Sequence, residues 1–247
     1  MTSERVLSVI DKGTPLRILE AYVEQNSEYV THHKFAWGSS LIYSSSLAQK
    51  VRVLLEHDVS PYCGGTLFEL AFARNELDNF RSFLKRNEFG IVEVSSGSTE
   101  ISIEEIREVV KSFAEDFTVI VEVGKKDQSL SEMMYPELWV NEISSALGAG
   151  ASHVILEGRE SGTSGIFRSN GEIRKGLLLE IAKHVPLDRL IFECTRKDDQ
   201  ISLMNHFGVS IGFGNIAIED VASLVALQRG LRGDTVEWCQ DLNWGDL

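Results

Sequence analysis

Short apolar runs recur along this chain, each closed by glycine or charged residues and followed by apolar residues at helical spacing. The runs fall at 6–10, 33–38, 59–63, 91–94, 118–123, 154–156, 190–192 and 209–213. Their near-continuous apolar character predicts strands buried on both faces, as in a parallel sheet. Between them lie amphipathic stretches. Leu16, Leu19, Tyr22 and Val23 share one helical face. A helix capped by Ser46 buries Leu47, Val51, Leu54 and Leu55. A long helical stretch follows the third run. Ser102 and Glu105 form an S-x-x-E capping box ahead of Ile106, Val109, Val110 and Phe113. Further helices are predicted at 136–147, closed by Gly148 and Gly150, then at 177–182, 201–207 and 218–231.

Eight strand-then-helix units imply a parallel sheet with helical crossovers. Eight units in 247 residues predict a closed (β/α)8 TIM barrel, with residues 1–247 forming a single catalytic domain. Active sites of such barrels lie at the C-terminal strand ends, and here those ends carry charges and glycines.

A net charge of -13 argues against nucleic acid as a partner, because phosphate neutralisation needs a basic surface. Three cysteines without CxxC spacing predict neither a disulfide framework nor a zinc cluster, and point to a reducing cytoplasm. The segment MTSERVLSVIDKG lacks the pattern of a signal peptide, and no apolar run has the length of a membrane span.

Glu122, Glu157 and Glu193 end three consecutive predicted strands. Pointing inward, three carboxylates repel one another unless a cation such as Mg²⁺ sits among them. The alternative is three separate ion pairs, with Arg159, Arg196 and Lys126 as partners. Strand alternation would put Glu157 and Arg159 on one face. Lys12, Lys34, Lys126 and Arg159 fall at the same end, where they either bind a small polyanion or remain solvated loop charges. Gly64-Gly65 and Gly214-Asn215 either offer backbone N–H groups to a phosphate or merely turn the chain. The histidines show no HxH or HExxH spacing, and His33 and His153, at strand starts, are expected to be structural. Cys63 and Cys194 have no evident activating histidine and are expected to be buried and inert.

DKGTP at 11–15, KFAWGSS at 34–40, GGTLFE at 64–69, EVSSGS at 93–98, EVGKK at 122–126, LEGRESG at 156–162 and LRGDT at 231–235 give the chain its identity as a sequence. With these motifs it resembles the phosphosulfolactate synthase family. The resemblance implies a (β/α)8 barrel that adds sulfite to C3 of phosphoenolpyruvate with Mg²⁺, serving coenzyme M or sulfolactate biosynthesis. On that implication Glu122, Glu157 and Glu193 bind the metal. Lys126 and Arg159 are catalytic, Lys126 protonating C2, and Lys12, Lys34, Gly65, Ser95 and Asn215 bind substrate. A homo-oligomer, possibly a trimer, is also implied. The chain departs from the family pattern after the seventh strand (IFECTRKDDQ) and around the eighth (IGFGNIA). Two alternatives therefore stand: similar enolate chemistry on another nucleophile or acid, and a non-catalytic, stress-associated barrel.

Overall fold

The computed structural model describes residues 5–159 and 161–239. Eight parallel strands form the sheet: β1 (Leu7–Asp11), β2 (His32–Phe35), β3 (Ser60–Cys63), β4 (Ile91–Ser95), β5 (Thr118–Val123), β6 (His153–Leu156), β7 (Leu190–Glu193) and β8 (Gly212–Ala217). Their hydrogen-bonded order is β3-β2-β1-β8-β7-β6-β5-β4. The two ends, β3 and β4, lie side by side, so the sheet curls into a nearly closed (β/α)8 barrel. Across that seam the Gly65 N–H donates to Glu93 Oε1 at 2.5 Å.

The helices are α1 (Leu16–Asn26), α2 (Ser39–Ile42), α3 (Ser44–Glu56), α4 (Thr66–Ala73), α5 (Leu77–Arg86) and α6 (Ile103–Phe113), then α7 (Gln128–Met133), α8 (Pro136–Ala149), α9 (Lys175–His184), α10 (Lys197–Phe207) and α11 (Val221–Gln228). Strand alternation divides the apolar residues into two sets. Val9, Phe35, Val121, Leu156 and Phe192 face outward and pack against helix residues such as Leu19, Val51, Phe68, Phe113 and Trp139. Val6, Tyr62, Ile91, Ile120, Ile155 and Ile191 face inward and plug the barrel. Two residues further along four of these strands, on the same inward face, come Glu93, Glu122, Glu157 and Glu193, all buried. The apolar plug is thus the floor on which a layer of carboxylates stands.

Local signals explain most boundaries. The capping box is formed: Ser102 Oγ accepts from the Glu105 N–H, and the Glu105 carboxylate accepts from the Ser102 N–H. Helix α8 stops at Gly150, whose φ of 116° few other residues could hold. Four expectations are corrected. The helical stretch after β3 is two helices, because Asn75 takes a left-handed turn (φ 56°) between them. Helix α3 starts at Ser44, and Ser46 lies inside its first turn, donating to Tyr43 O. Leu55 of that helix is exposed. Strand β8 runs over Gly212–Ala217 and not over 209–213. Leu7 pairs with Phe213 while Val9 pairs with Ile216, so β8 carries one extra residue, and Asn215 adopts φ 58° within this bulge. Gly214-Asn215 is therefore bulged strand and not a loop. Gly212 is required because a Cβ there would lie 2.8 Å from Leu190 O.

The closed end of the barrel holds two inward histidines, His32 and His153. Burial, and then the neighbouring His153, pushes the His32 imidazole down to about 4 from 6.5. The unfolded chain takes up this proton first as the pH drops. Stability from neutral His32 is therefore fully present above pH 6.5 and is lost as the pH falls toward 4. Urea unfolding of the native chain and of His32→Gln across this window should show a shallower pH dependence for the variant. Parallel profiles would show that His32 is not the group responsible.

Candidate active site

At the open end the inward residues line a cavity of about 490 Å³. Its floor is charged. Lys34, buried on β2, places Nζ 2.9 Å from Glu93 Oε2, 3.0 Å from Glu193 Oε1, 3.1 Å from Asn215 Oδ1 and 3.9 Å from Glu122 Oε2. These neighbours outweigh burial and hold the ammonium well above the ordinary lysine range. Lys34 therefore cross-braces the carboxylates while lining the cavity floor.

Glu122, Glu157 and Glu193 each offer a ligand oxygen, and these atoms lie within 4.8 Å of one another, so the group could hold a metal ion. Glu157 Oε1 accepts the Arg159 N–H at 2.6 Å, whereas Glu157 Oε2 is buried without a hydrogen-bond partner. Glu122 Oε1 likewise accepts no hydrogen bond, although Lys126 Nζ lies 3.3 Å away. Burial, with Glu122 and Glu193 adding to it, raises the Glu157 carboxyl well above the usual range. Burial also pushes Glu93 up to about 7, against the opposing pull of Lys34. Glu122 is held low despite its burial, by Lys126 first and then Lys34. Left without a cation, such a carboxylate layer is costly.

The crowding around Glu157 is made possible by glycines. A Cβ at Gly124 would lie 2.7 Å from Glu157 Cβ, and one at Gly165 would lie 1.8 Å from Glu157 O. Residues 161–174 fold over this strand end, fixed by Arg174, whose Nη1 donates to Ser131 O and Gly165 O.

Lys126 follows β5 and lines the cavity with its side chain 30% exposed. The Glu122 carboxylate, with smaller contributions from Glu157, Glu93 and Glu69, raises its pKa against burial. The sequence leaves the sign of this shift open, burial and nearby cations opposing the carboxylates, and the closeness of Glu122 sets it upward. Lys125 lies outside the cavity lining and donates to Ser96 O at 2.6 Å, holding the loop after β4. Arg159 is exposed at the rim, with Nη1 3.2 Å from Lys126 O. Strand β6 ends at Leu156 and Arg159 has a left-handed backbone (φ 51°), so strand alternation does not set its direction.

Gly65 and Asn215 line the cavity, and Asn215 Oδ1 accepts from Lys34. Two expected substrate contacts are not among the lining residues. Ser95 is buried and donates to Glu69 Oε1. Lys12 lies outside the lining, its Nζ 5.8 Å above the ring of Trp37, and it is Trp37 that lines the mouth. Residues 194–200, where the motif departs from the family pattern, also contribute nothing to the lining. Arg196, for example, turns outward to Gly171 O and Asp199. Sequence reasoning missed Glu93 as a site residue. The signal was present, since Ile91-Val-Glu93, Ile120-Val-Glu122, Ile155-Leu-Glu157 and Ile191-Phe-Glu193 repeat one Ile-x-Glu pattern on four consecutive strands.

Fold and site together define a (β/α)8-barrel enzyme with a buried, metal-capable carboxylate layer at its mouth. The sequence profile of the (2R)-phospho-3-sulfolactate synthase (ComA) family matches residues 3–234. The phosphosulfolactate synthase of Methanocaldococcus jannaschii is 36% identical over 230 residues, covering 92% of each chain. That of Bacillus subtilis is 34% identical over 228 residues, covering 92% of this chain and 90% of its own. The chain belongs to the phosphosulfolactate synthase family. Among solved structures, a phosphonopyruvate hydrolase in complex with oxalate and Mg²⁺ superposes with a TM-score of 0.57 at 11% identity, covering 91% of this chain and 80% of its own. That likeness is one of fold. Among the described residues no helix is long and apolar enough to cross a membrane.

Burial pushes the Cys63 thiol up to about 12 and raises Cys194 as well, so neither forms thiolate at neutral pH. Cys239 is less buried. Maleimide at neutral pH should label one thiol per native chain and three after denaturation. Rapid native labelling of Cys63 or Cys194 would contradict this placement.

Proposed function

We propose that the protein adds sulfite to C3 of phosphoenolpyruvate, forming phosphosulfolactate, with Mg²⁺ held by Glu122, Glu157 and Glu193. The observation that carries this reading is the buried three-glutamate layer, with Glu157 Oε2 lacking a hydrogen-bond partner and Glu122 Oε1 paired only with Lys126 Nζ at 3.3 Å, in a cavity of small-molecule size. Four carboxylates (Glu93, Glu122, Glu157 and Glu193) face two ammonium groups (Lys34 and Lys126). The layer carries more carboxylates than ammonium groups, and an all-oxygen donor set suits a hard cation. When bound, that cation offsets the charge of Glu122 and Glu157 and stabilises the negative charge that develops on the substrate carboxylate.

The chain's own residues then divide the work. Sulfite's lone pair forms the C–S bond at C3, the C2=C3 electron pair moves toward C2 and the carboxylate, and the Lys126 ammonium delivers a proton to C2. Glu122, 3.3 Å from Lys126 Nζ, keeps that proton in place beforehand. Arg159, at the rim, pairs with an anionic group of the substrate; a guanidinium suits phosphate or carboxylate bidentately. Gly64, Gly65 and Ser98 also line the cavity; their backbone N–H groups are bound to Phe35 O, Glu93 and Glu69, which leaves the Ser98 hydroxyl to meet a phosphoryl oxygen. Lys34 keeps the carboxylates together and, lining the cavity floor, adds its positive charge to the space an anionic substrate enters. Because residues 194–200 stay outside the lining, their departure from the family pattern does not favour a different nucleophile.

Lys126→Ala should fold normally and lose turnover by about 10²–10⁴-fold, the range for a missing acid–base group. Lys126→Arg should not restore it, because a guanidinium keeps its proton. The readout is kcat for phosphosulfolactate formation from phosphoenolpyruvate and sulfite. A rise in KM at unchanged kcat would make Lys126 a binding residue.

Glu157→Gln preserves shape and removes charge. The variant should bind Mg²⁺ or Mn²⁺ more weakly by calorimetry and lose activity at ordinary Mg²⁺ concentrations. Full wild-type activity in excess EDTA would rule out the metal.

A further inference from the structure

We propose that Glu69 is a positioning residue for this reaction, setting Lys126 and Glu122 through the loop 95–99 without touching substrate; the proposal rests on the function proposed above. Glu69 lies on α4 among Leu67, Phe68 and Ala71 and is 3% exposed. A buried carboxylate normally needs a cation or a full set of donors. Here every donor comes from one loop. Glu69 Oε1 accepts from Ser95 Oγ and from the Gly97 N–H at 3.1 Å. Oε2 accepts from the Ser98 N–H at 3.0 Å and from Thr99 Oγ1 at 2.9 Å. Two hydroxyls and two backbone N–H groups are thereby bound to a single rigid side chain.

The other side of the same loop faces the reacting groups. The Lys126 N–H donates to Gly97 O at 3.2 Å, and Lys125 Nζ donates to Ser96 O. A Cβ at Gly97 would lie 3.1 Å from Lys126 Cε and 3.2 Å from Glu122 Oε1, so the loop backbone is the wall against which both side chains rest. Ser98, the next residue, lines the cavity. A lysine stem has wide rotamer freedom, and a proton donor must meet its carbon within a fraction of an ångström. The wall supplies that restriction, and Glu69 fixes the wall.

Only a carboxylate offers acceptors on both oxygens to all four donors. Glu69→Gln keeps the volume but turns an NH₂ toward two of them. The experiment compares Glu69→Gln with Gly97→Ala, which crowds the wall directly, and with Glu105→Ala. Glu105 belongs to the exposed capping box on the same β4–α6 connection and serves as a stability-only control. Measured for each are Tm, kcat and KM with phosphoenolpyruvate and sulfite, and the rate of Lys126 acetylation by mass spectrometry.

Glu69→Gln and Gly97→Ala should each lower kcat about 10- to 100-fold, the scale of a misplaced reacting group. KM should change far less, and Lys126 acetylation should change severalfold. Glu105→Ala should lower Tm while leaving kcat and Lys126 labelling as in the native chain. The proposal is overturned if Glu69→Gln leaves kcat unchanged, or if its loss of activity only tracks the loss of folded protein. If the native chain itself does not join sulfite to phosphoenolpyruvate, the function reading fails separately. Lys126 acetylation then decides alone, and an unchanged rate in Glu69→Gln overturns the positioning role.

Discussion

The site depends on one buried ammonium. Lys34 reaches from β2 across the barrel to Glu93 on β4 and Glu193 on β7, with Glu122 on β5 at 3.9 Å. Without it, acidic groups would face one another in a medium that solvates them poorly. Removing one partner of such a buried set is strongly destabilising, by about 3–5 kcal/mol for a buried pair. The ammonium binds strands on opposite sides of the barrel, including β4 at the seam where the ladder is not closed. It therefore couples barrel closure to the arrangement of the carboxylates. Its compensation is incomplete, as the raised pKa values of Glu93 and Glu157 indicate. That remaining imbalance is why the layer could hold a cation.

A second constraint is steric. Glu157 reaches its place only because the chain next to it carries no side chains at Gly124 and Gly165. Its own neighbour Arg159 folds back through a left-handed conformation to donate its N–H to Glu157 Oε1, leaving Oε2 without a partner. Backbone strain at a polar cavity is characteristic of functional sites. Trp37 and Asn215, also at positive φ, line the same cavity.

Much of this was legible from residue order. Period-two alternation along apolar runs located the strands and put Glu122, Glu157 and Glu193 at one end. The same rule puts Glu93 at that end too, but its pairing with Lys34 within the site depends on a contact that residue order does not show. What the sequence concealed depends on contacts between distant segments. Glu69 looks like an ordinary helical glutamate until the loop 95–99 folds onto it, although a lone charge among Leu67, Phe68 and Ala71 was a usable sign. Asp11 is similar, closing the turn of Gly13 and Thr14 while pairing with His33 and Lys50. The β8 bulge was misread because glycine and asparagine mark turns and bulges alike. The direction of the Lys126 shift required the distance to Glu122, which spacing alone could not supply.

The most direct test is a crystal of the protein grown with Mn²⁺ and phosphoenolpyruvate, with the metal located by anomalous scattering. The account predicts one strong peak among Glu122, Glu157 and Glu193, the substrate carboxylate directed at it, and substrate C2 facing Lys126 Nζ. A metal bound elsewhere, or a substrate whose C2 lies on the side of the cavity away from Lys126, would contradict it.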